Sequence, residues 1–210
     1  MALAACVQLA LLQAVTPLLS IALASRADGA TSRLIADFEE RRDWQGLAEL
    51  AKEKLQRDPG DADGWFMLGY ARIRLGDFAR SAEAYAKVLE RTPEDIDAWN
   101  MLGESQRLAG RPDLAVATLD RAVSIDPRSP ATRYLLGEAW RDAGRLDRSA
   151  AAYRDAVRLD PGFAPGWFGL GLALARAGQE EELPAIIERL HELDPALGRE
   201  LVRIQSVNKG

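Results

Sequence analysis

The chain has 210 residues with 27 basic and 32 acidic side chains, a net charge of −5 and 48% apolar residues. This composition supports a soluble folded array, excludes wholesale disorder and argues against a general nucleic-acid binder. One cysteine, Cys6, rules out an internal disulfide framework, and one histidine, His191, leaves too few ligands for a Cys/His metal shell, so no cofactor or metal is expected.

Residues 1–25 carry no charged side chain, and Val7 to Ala24 is largely apolar, broken by Gln8, Gln13, Thr16, Pro17 and Ser20. Ala22-Leu23-Ala24 offers a small-x-small exit site before polar Ser25-Arg26-Ala27-Asp28. Residues 1–24 therefore read as a signal peptide or as an N-terminal membrane anchor of about 20 residues. No lysine or arginine precedes the apolar run, which counts against a signal peptide. A lipobox at Leu3-Ala4-Ala5-Cys6 and an extra buried helix are the remaining readings. An exported or anchored chain places the folded part in a periplasmic or otherwise extracytoplasmic space.

Beyond that segment the punctuation residues repeat. Pro59, Pro93, Pro127, Pro161 and Pro195 lie 34 residues apart, as do Gly69, Gly103, Gly137 and Gly171, and Gly76, Gly110, Gly144 and Gly178. A fixed period of this length marks a repeat array. The chain divides into a linker and degenerate first repeat at 25–61, repeats at 62–95, 96–129, 130–163 and 164–197, and a C-terminal cap and tail at 198–210. Within one block, Trp65, Leu68, Gly69 and Arg72 predict a first helix from Ala62 to Leu75, stopped at Gly76. Phe78, Ser81, Ala82, Tyr85, Val88 and Leu89 predict a second, stopped before Pro93. Each block is thus an antiparallel helix pair, with Gly69 at the close approach and Trp65 and Tyr85 filling the crossing. In the first block Thr31, Ile35 and Arg42 replace tryptophan and both glycines, as in a terminal cap. Pro112 fits a first helical turn, whereas Pro184 should delay or kink its helix. Leu197, Leu201 and Ile204 mark the buried face of a last, capping helix.

Trp65, Leu68-Gly69, Ser81, Tyr85 and Pro93, repeated as Trp99, Leu102-Gly103, Ala115, Leu119 and Pro127, then Leu136-Gly137, Ser149, Tyr153 and Pro161, and Trp167, Leu170-Gly171, Leu183, Ile187 and Pro195, resemble the tetratricopeptide repeat family. That resemblance covers residues 28 to 207. It implies an all-α solenoid of antiparallel helix pairs in a right-handed superhelix with a C-terminal capping helix, whose concave wall is lined by first helices and binds extended or helical partner segments.

The first-helix positions facing away from the Trp/Leu/Gly stripe supply the candidate groove: Phe66, Tyr70 and Arg74; Asn100 and Arg107; Tyr134 and Arg141; Phe168, Leu172 and Arg176. Four aromatic rings on one wall are read as exposed contact area, with Asn100 free to pair with a partner's amide. The arginines either complement the ends of their helices or meet a partner's carboxylates, partly neutralised by Glu104 and Glu138. Phe66, Tyr70, Met101, Ala131 and Leu135 stand where chaperone-tail-binding members of the family carry lysine and asparagine, which disfavours an acidic chaperone tail. His191 is a packing or surface residue, and Glu180-Glu181-Glu182 complements a helix N-terminus.

The expected function is a non-enzymatic protein–protein scaffold in bacterial envelope assembly, secretion or protein maturation, with protein partners, no nucleic acid, and membrane contact only through residues 1–24. Two alternatives stand beside it. One is an oligomeric structural adaptor. The other is an apocytochrome-holding factor of cytochrome c maturation, which the Asp63-Gly64-Trp65 opening and the apolar N-terminus resemble.

Overall fold

A computed structural model describes residues 29–208; the readings placed on residues 1–24 lie outside them. The described residues form helices α1 (Gly29–Arg41), α2 (Trp44–Arg57), α3 (Ala62–Arg74), α4 (Phe78–Arg91), α5 (Ile96–Leu108), α6 (Pro112–Ile125), α7 (Pro130–Asp142), α8 (Leu146–Leu159), α9 (Ala164–Ala177), α10 (Leu183–Leu193) and α11 (Pro195–Asn208), with no strand among them. They fall into two compact units, one running to Gly110 and one from Arg111. None of these helices is long and apolar enough to cross a membrane.

The helix ends follow from local chemistry repeated at the 34-residue interval. Asp61 accepts from the backbone amides of Asp63 and Gly64, Asp95 from Ala98 and Ser129 from Thr132, so three first helices start on side-chain caps. Gly76, Gly110, Gly144 and Gly178 lie at φ 78°, 75°, 74° and 71°, the left-handed geometry that reverses the chain between the helices of a pair. Pro112 and Pro130 open their helices. α4, α6 and α8 start at Phe78, Pro112 and Leu146, so the same beat would start α10 at 180; it starts at Leu183, with Pro184 in its first turn. The delay foreseen at that proline is present.

In the first unit, Gly69 lets α3 approach α4. A Cβ there would lie 2.9 Å from the Tyr85 ring, which is fully buried. Tyr85 stacks edge-on against Phe66, with centroids 5.1 Å apart. The crossing is therefore filled by Phe66 rather than by Trp65 as the spacing suggested. Trp65 is half-buried, and its indole Nε1 donates to the carbonyl of Pro59 at 2.9 Å. Trp99 makes the same bond to Pro93 at 2.8 Å. The Ser81 hydroxyl donates to the Gly69 carbonyl and shares a 2.9 Å bond with Ser105 Oγ, tying α3, α4 and α5 together in the core.

The second unit reuses these contacts. Ser149 donates to the Gly137 carbonyl at 2.8 Å, and Trp167 Nε1 to the Pro161 carbonyl at 3.0 Å. Tyr153 on α8 is wedged between α7 and α9, because a Cβ on Gly137 or Gly169 would lie 2.7 or 2.6 Å from its ring. Arg133, in the tryptophan position, turns to Asp155 at 3.3 Å. Leu201 of α11 packs beneath Gly171, and Leu201 and Ile204 are buried while Arg199 and Arg203 face outward. The capping helix is present and starts at Pro195, three residues ahead of 198.

Candidate functional site

The first helices use two kinds of filling at equivalent positions, one in the two inner repeats and one in the repeats that flank them. In α3 and α9 these positions hold Tyr70 with Ile73 and Leu172 with Ala175. In α5 and α7 they hold Glu104 with Arg107 and Glu138 with Arg141. All four of these charged side chains are buried. A buried ion pair contributes little net stability against well-packed apolar residues, so its presence in two of the four repeats asks for another reason.

In the first unit, Arg107 grips Glu104 with both arms of its guanidinium, Nε to Oε2 and Nη2 to Oε1, each at 2.8 Å. Asn100, one turn earlier on the same helix, is 5% exposed and its Oδ1 has no hydrogen-bond partner. Tyr70 donates its hydroxyl to Glu39 of α1 and meets Trp44 of α2 edge-on, with centroids 6.0 Å apart. Arg74 lies over the Trp44 ring at 4.1 Å. Burial, reinforced by the Glu39 carboxylate, pushes the Tyr70 hydroxyl well above its ordinary range.

In the second unit, Arg141 reaches Glu138 Oε1 with Nη1 at 2.6 Å and turns Nε and Nη2 to Asp142 Oδ1 at 3.2 and 3.0 Å. The Tyr153 hydroxyl donates to the same Oε1, and burial together with the adjacent carboxylate raises its pKa far above the usual range. Tyr134 packs against Tyr153 and, edge-on, against Phe163. A separate surface cavity of about 450 Å³ is lined by Gly144, Arg145, Leu146, Asp147, Arg148 and Ala177.

These placements correct the expectation of an exposed aromatic wall. Phe66, Tyr70, Tyr134, Phe168 and Leu172 are fully buried or nearly so, and they work as core. The helical period places them on one face, but neighbouring helices cover that face. A signal for this was present: Trp65-Phe66-Met67-Leu68 is apolar all round its turn, the pattern of a helix buried on every side. The arginine row is also largely spoken for inside the chain. Arg74 stacks on Trp44, Arg107 and Arg141 bind glutamates, and only Arg176 of the four is exposed. The partial neutralisation expected from Glu104 and Glu138 is realised as direct ion pairs, and their three-residue offset from arginine was the legible cue. Tyr153 was legible as a repeat residue but not as a partner of Glu138, and Glu39 was not legible at all, because each acts on a residue 15 or 31 positions away. His191 is exposed, with its ring against Gly198. Glu182 pairs with Arg154 and Glu180 accepts from Gln205, so these two acids bind side chains as well as preceding α10.

Comparison with known proteins agrees with this architecture. The tetratricopeptide repeat family model matches residues 66–130, 109–164 and 134–195. No curated protein matches the chain. Among solved structures, a crystal structure of YrrB, described as a TPR protein with an unusual peptide-binding site, is 19% identical, with a TM-score of 0.62 over 79% of this chain and 87% of that one. MamA 41-end from Desulfovibrio magneticus RS-1 is 23% identical, with a TM-score of 0.68 over 78% and 93%. A further MamA crystal structure is 21% identical, with a TM-score of 0.67 over 78% and 95%.

Proposed function

The chain belongs to the tetratricopeptide repeat family, and from that premise we propose that it is a non-enzymatic scaffold that holds a segment of another protein along its first helices. The observation that carries the reading is the set of polar side chains placed in otherwise apolar first-helix positions: Asn100, Glu104 and Arg107 in one unit, Glu138 and Arg141 in the other. Well-packed apolar residues would serve folding as well or better at these sites, as Ile73 and Leu172 do in the flanking repeats. Fixed polar groups on a rigid helix suit recognition, because their rotamers are set before a partner arrives. The likeness to YrrB, a protein described as having a peptide-binding site, supports the same class of partner.

The scaffold works outside the cytoplasm in this reading, in envelope assembly, secretion or protein maturation, with residues 1–24 as the export or anchoring segment. Fractionation of cells carrying the full-length chain should find it in the periplasmic or membrane fraction; a purely cytoplasmic protein with an intact N-terminus overturns that part. For the binding surface, a photo-crosslinking amino acid placed at Asp63 or Arg176, exposed on first helices, should trap a protein partner. The same group at Lys87 or Arg121, exposed on second helices, should not. Equal trapping from all four positions, or none, overturns the scaffold reading.

A further inference from the structure

Glu104 and Glu138 occupy the same place in successive repeats, yet their carboxylates are finished differently. Glu104 has one arginine nitrogen on each oxygen. Glu138 has two donors on Oε1, from Arg141 and Tyr153, while its Oε2 is buried with no hydrogen-bond partner, in a side chain 1% exposed. Arg141 does not complete the fork because its other two nitrogens bind Asp142. Tyr153 cannot swing across, since its ring is held between Gly137 and Gly169. A carboxylate oxygen out of water with no donor is unfavourable, and what relieves it is an N–H donor, best a charged one. Asn100, in the other unit, also leaves an acceptor without a donor. At both places the orphaned atom is an acceptor, and an acceptor calls for a donor.

Resting on the scaffold reading, we propose that Glu138 Oε2 is a recognition point for a positively charged side chain, arginine or lysine, carried by the bound protein segment. Asp142, exposed one residue beyond Arg141, is the outer carboxylate that such a side chain meets first. A second cation at Asp142 competes for the carboxylate oxygen that now holds Nε and Nη2 of Arg141. Glu104, already closed by Arg107, takes no such part.

The test uses the full-length protein and two capped pentapeptides, Ac-Ala-Ala-Arg-Ala-Ala-NH2 and its counterpart with glutamate in the centre, titrated while the amide NMR signals of Gly137 and Glu138 are followed. The arginine peptide should bind about tenfold more tightly than the glutamate peptide, the gain expected of one charge-assisted contact. Glu138→Gln, which keeps the side-chain shape, should reduce that preference to within about twofold, while Glu104→Gln should leave it unchanged. Glu138→Asp, with its charge kept, should retain part of the preference, which separates lost charge from lost folding. No response to the arginine peptide, as expected if Oε2 is satisfied by an ordered water alone, overturns the proposal. So does a preference that survives Glu138→Gln. A partner trapped from Asp63 or Arg176 that binds the Glu138→Gln protein equally well overturns this inference alone, whereas the absence of any trapped partner overturns the scaffold reading beneath it.

Discussion

The first helix pair and the second solve the same geometric problem with exchanged parts. In the second pair the first helix carries Gly69 and the second helix the large Tyr85; one period earlier the first helix carries Ile35 and the second the small Ala51. All four are buried. The turns differ in the same spirit. Gly76 reverses the chain at φ 78°, and its counterpart Arg42 does so at φ 55°, a conformation a side chain adopts only at a cost. Even so, the backbone bonds are the same: Gly76 N to Ile73 O and Asp77 N to Arg72 O in one, Arg42 N to Glu39 O and Asp43 N to Phe38 O in the other. Between these two pairs, what is kept is the summed volume at the crossing and a left-handed step at the turn, not the residue types.

If volume is what matters, the two pairs should fail in opposite ways. Ile35→Ala removes bulk from a pair whose second helix already carries alanine, so chemical denaturation should show a loss of about 3 kcal/mol. Gly69→Ala adds a methyl where Tyr85 leaves no room and should cost about 2 kcal/mol by overpacking, with the aromatic near-UV signal of Tyr85 disturbed. Adding Tyr85→Leu to that variant should recover part of the loss, and failure to recover any would break the volume argument.

Alkali probes the joint between the two pairs. Tyr70 keeps its proton in the folded state above the pH at which the unfolded chain, with its ordinary tyrosine value of 10.0, has lost it. The contribution is therefore whole below about pH 10 and falls above it by at most about 1.4 kcal/mol per pH unit. Tyr70→Phe should flatten that part of the pH–stability profile. The smallest effects concern the turns: Arg42→Gly should stabilise by about 1 kcal/mol and Gly76→Ala should destabilise by a similar amount, both read as shifts in the unfolding midpoint. Equal responses of the same sign at the two turns would show that they are not equivalent.

The sequence made the helix ends readable because they depend on residues close by. A proline just past the end of one helix, a glycine two residues before α4, α6 and α8, and an aspartate at a cap act within a single turn, so position alone reveals them. Pro112 and Pro184 both behaved as their local chemistry dictates. The candidate wall was harder to read for the opposite reason. Whether Tyr70 faces water depends on Glu39 and Trp44, in the preceding repeat, and whether Glu138 is satisfied depends on where Tyr153 and Asp142 lie. Helical periodicity assigns a face but not what covers it, and in stacked pairs the first helix has two faces to cover. Phe66 shows the consequence: taken as a surface ring, it fills the crossing assigned to Trp65.

The tryptophan displaced from that crossing has its own use. In three blocks its indole nitrogen fastens to the carbonyl of the proline six residues behind it, the residue that closes the block before. Every such fastening spans a seam and depends only on the short stretch around it. A segment copied or deleted from one of these prolines to the next leaves an identical seam on each side, with the bond intact. An insertion between one of these prolines and the tryptophan six residues on would part that indole from its carbonyl. The chain can therefore lengthen or shorten over generations by whole 34-residue units without a compensating change at the join.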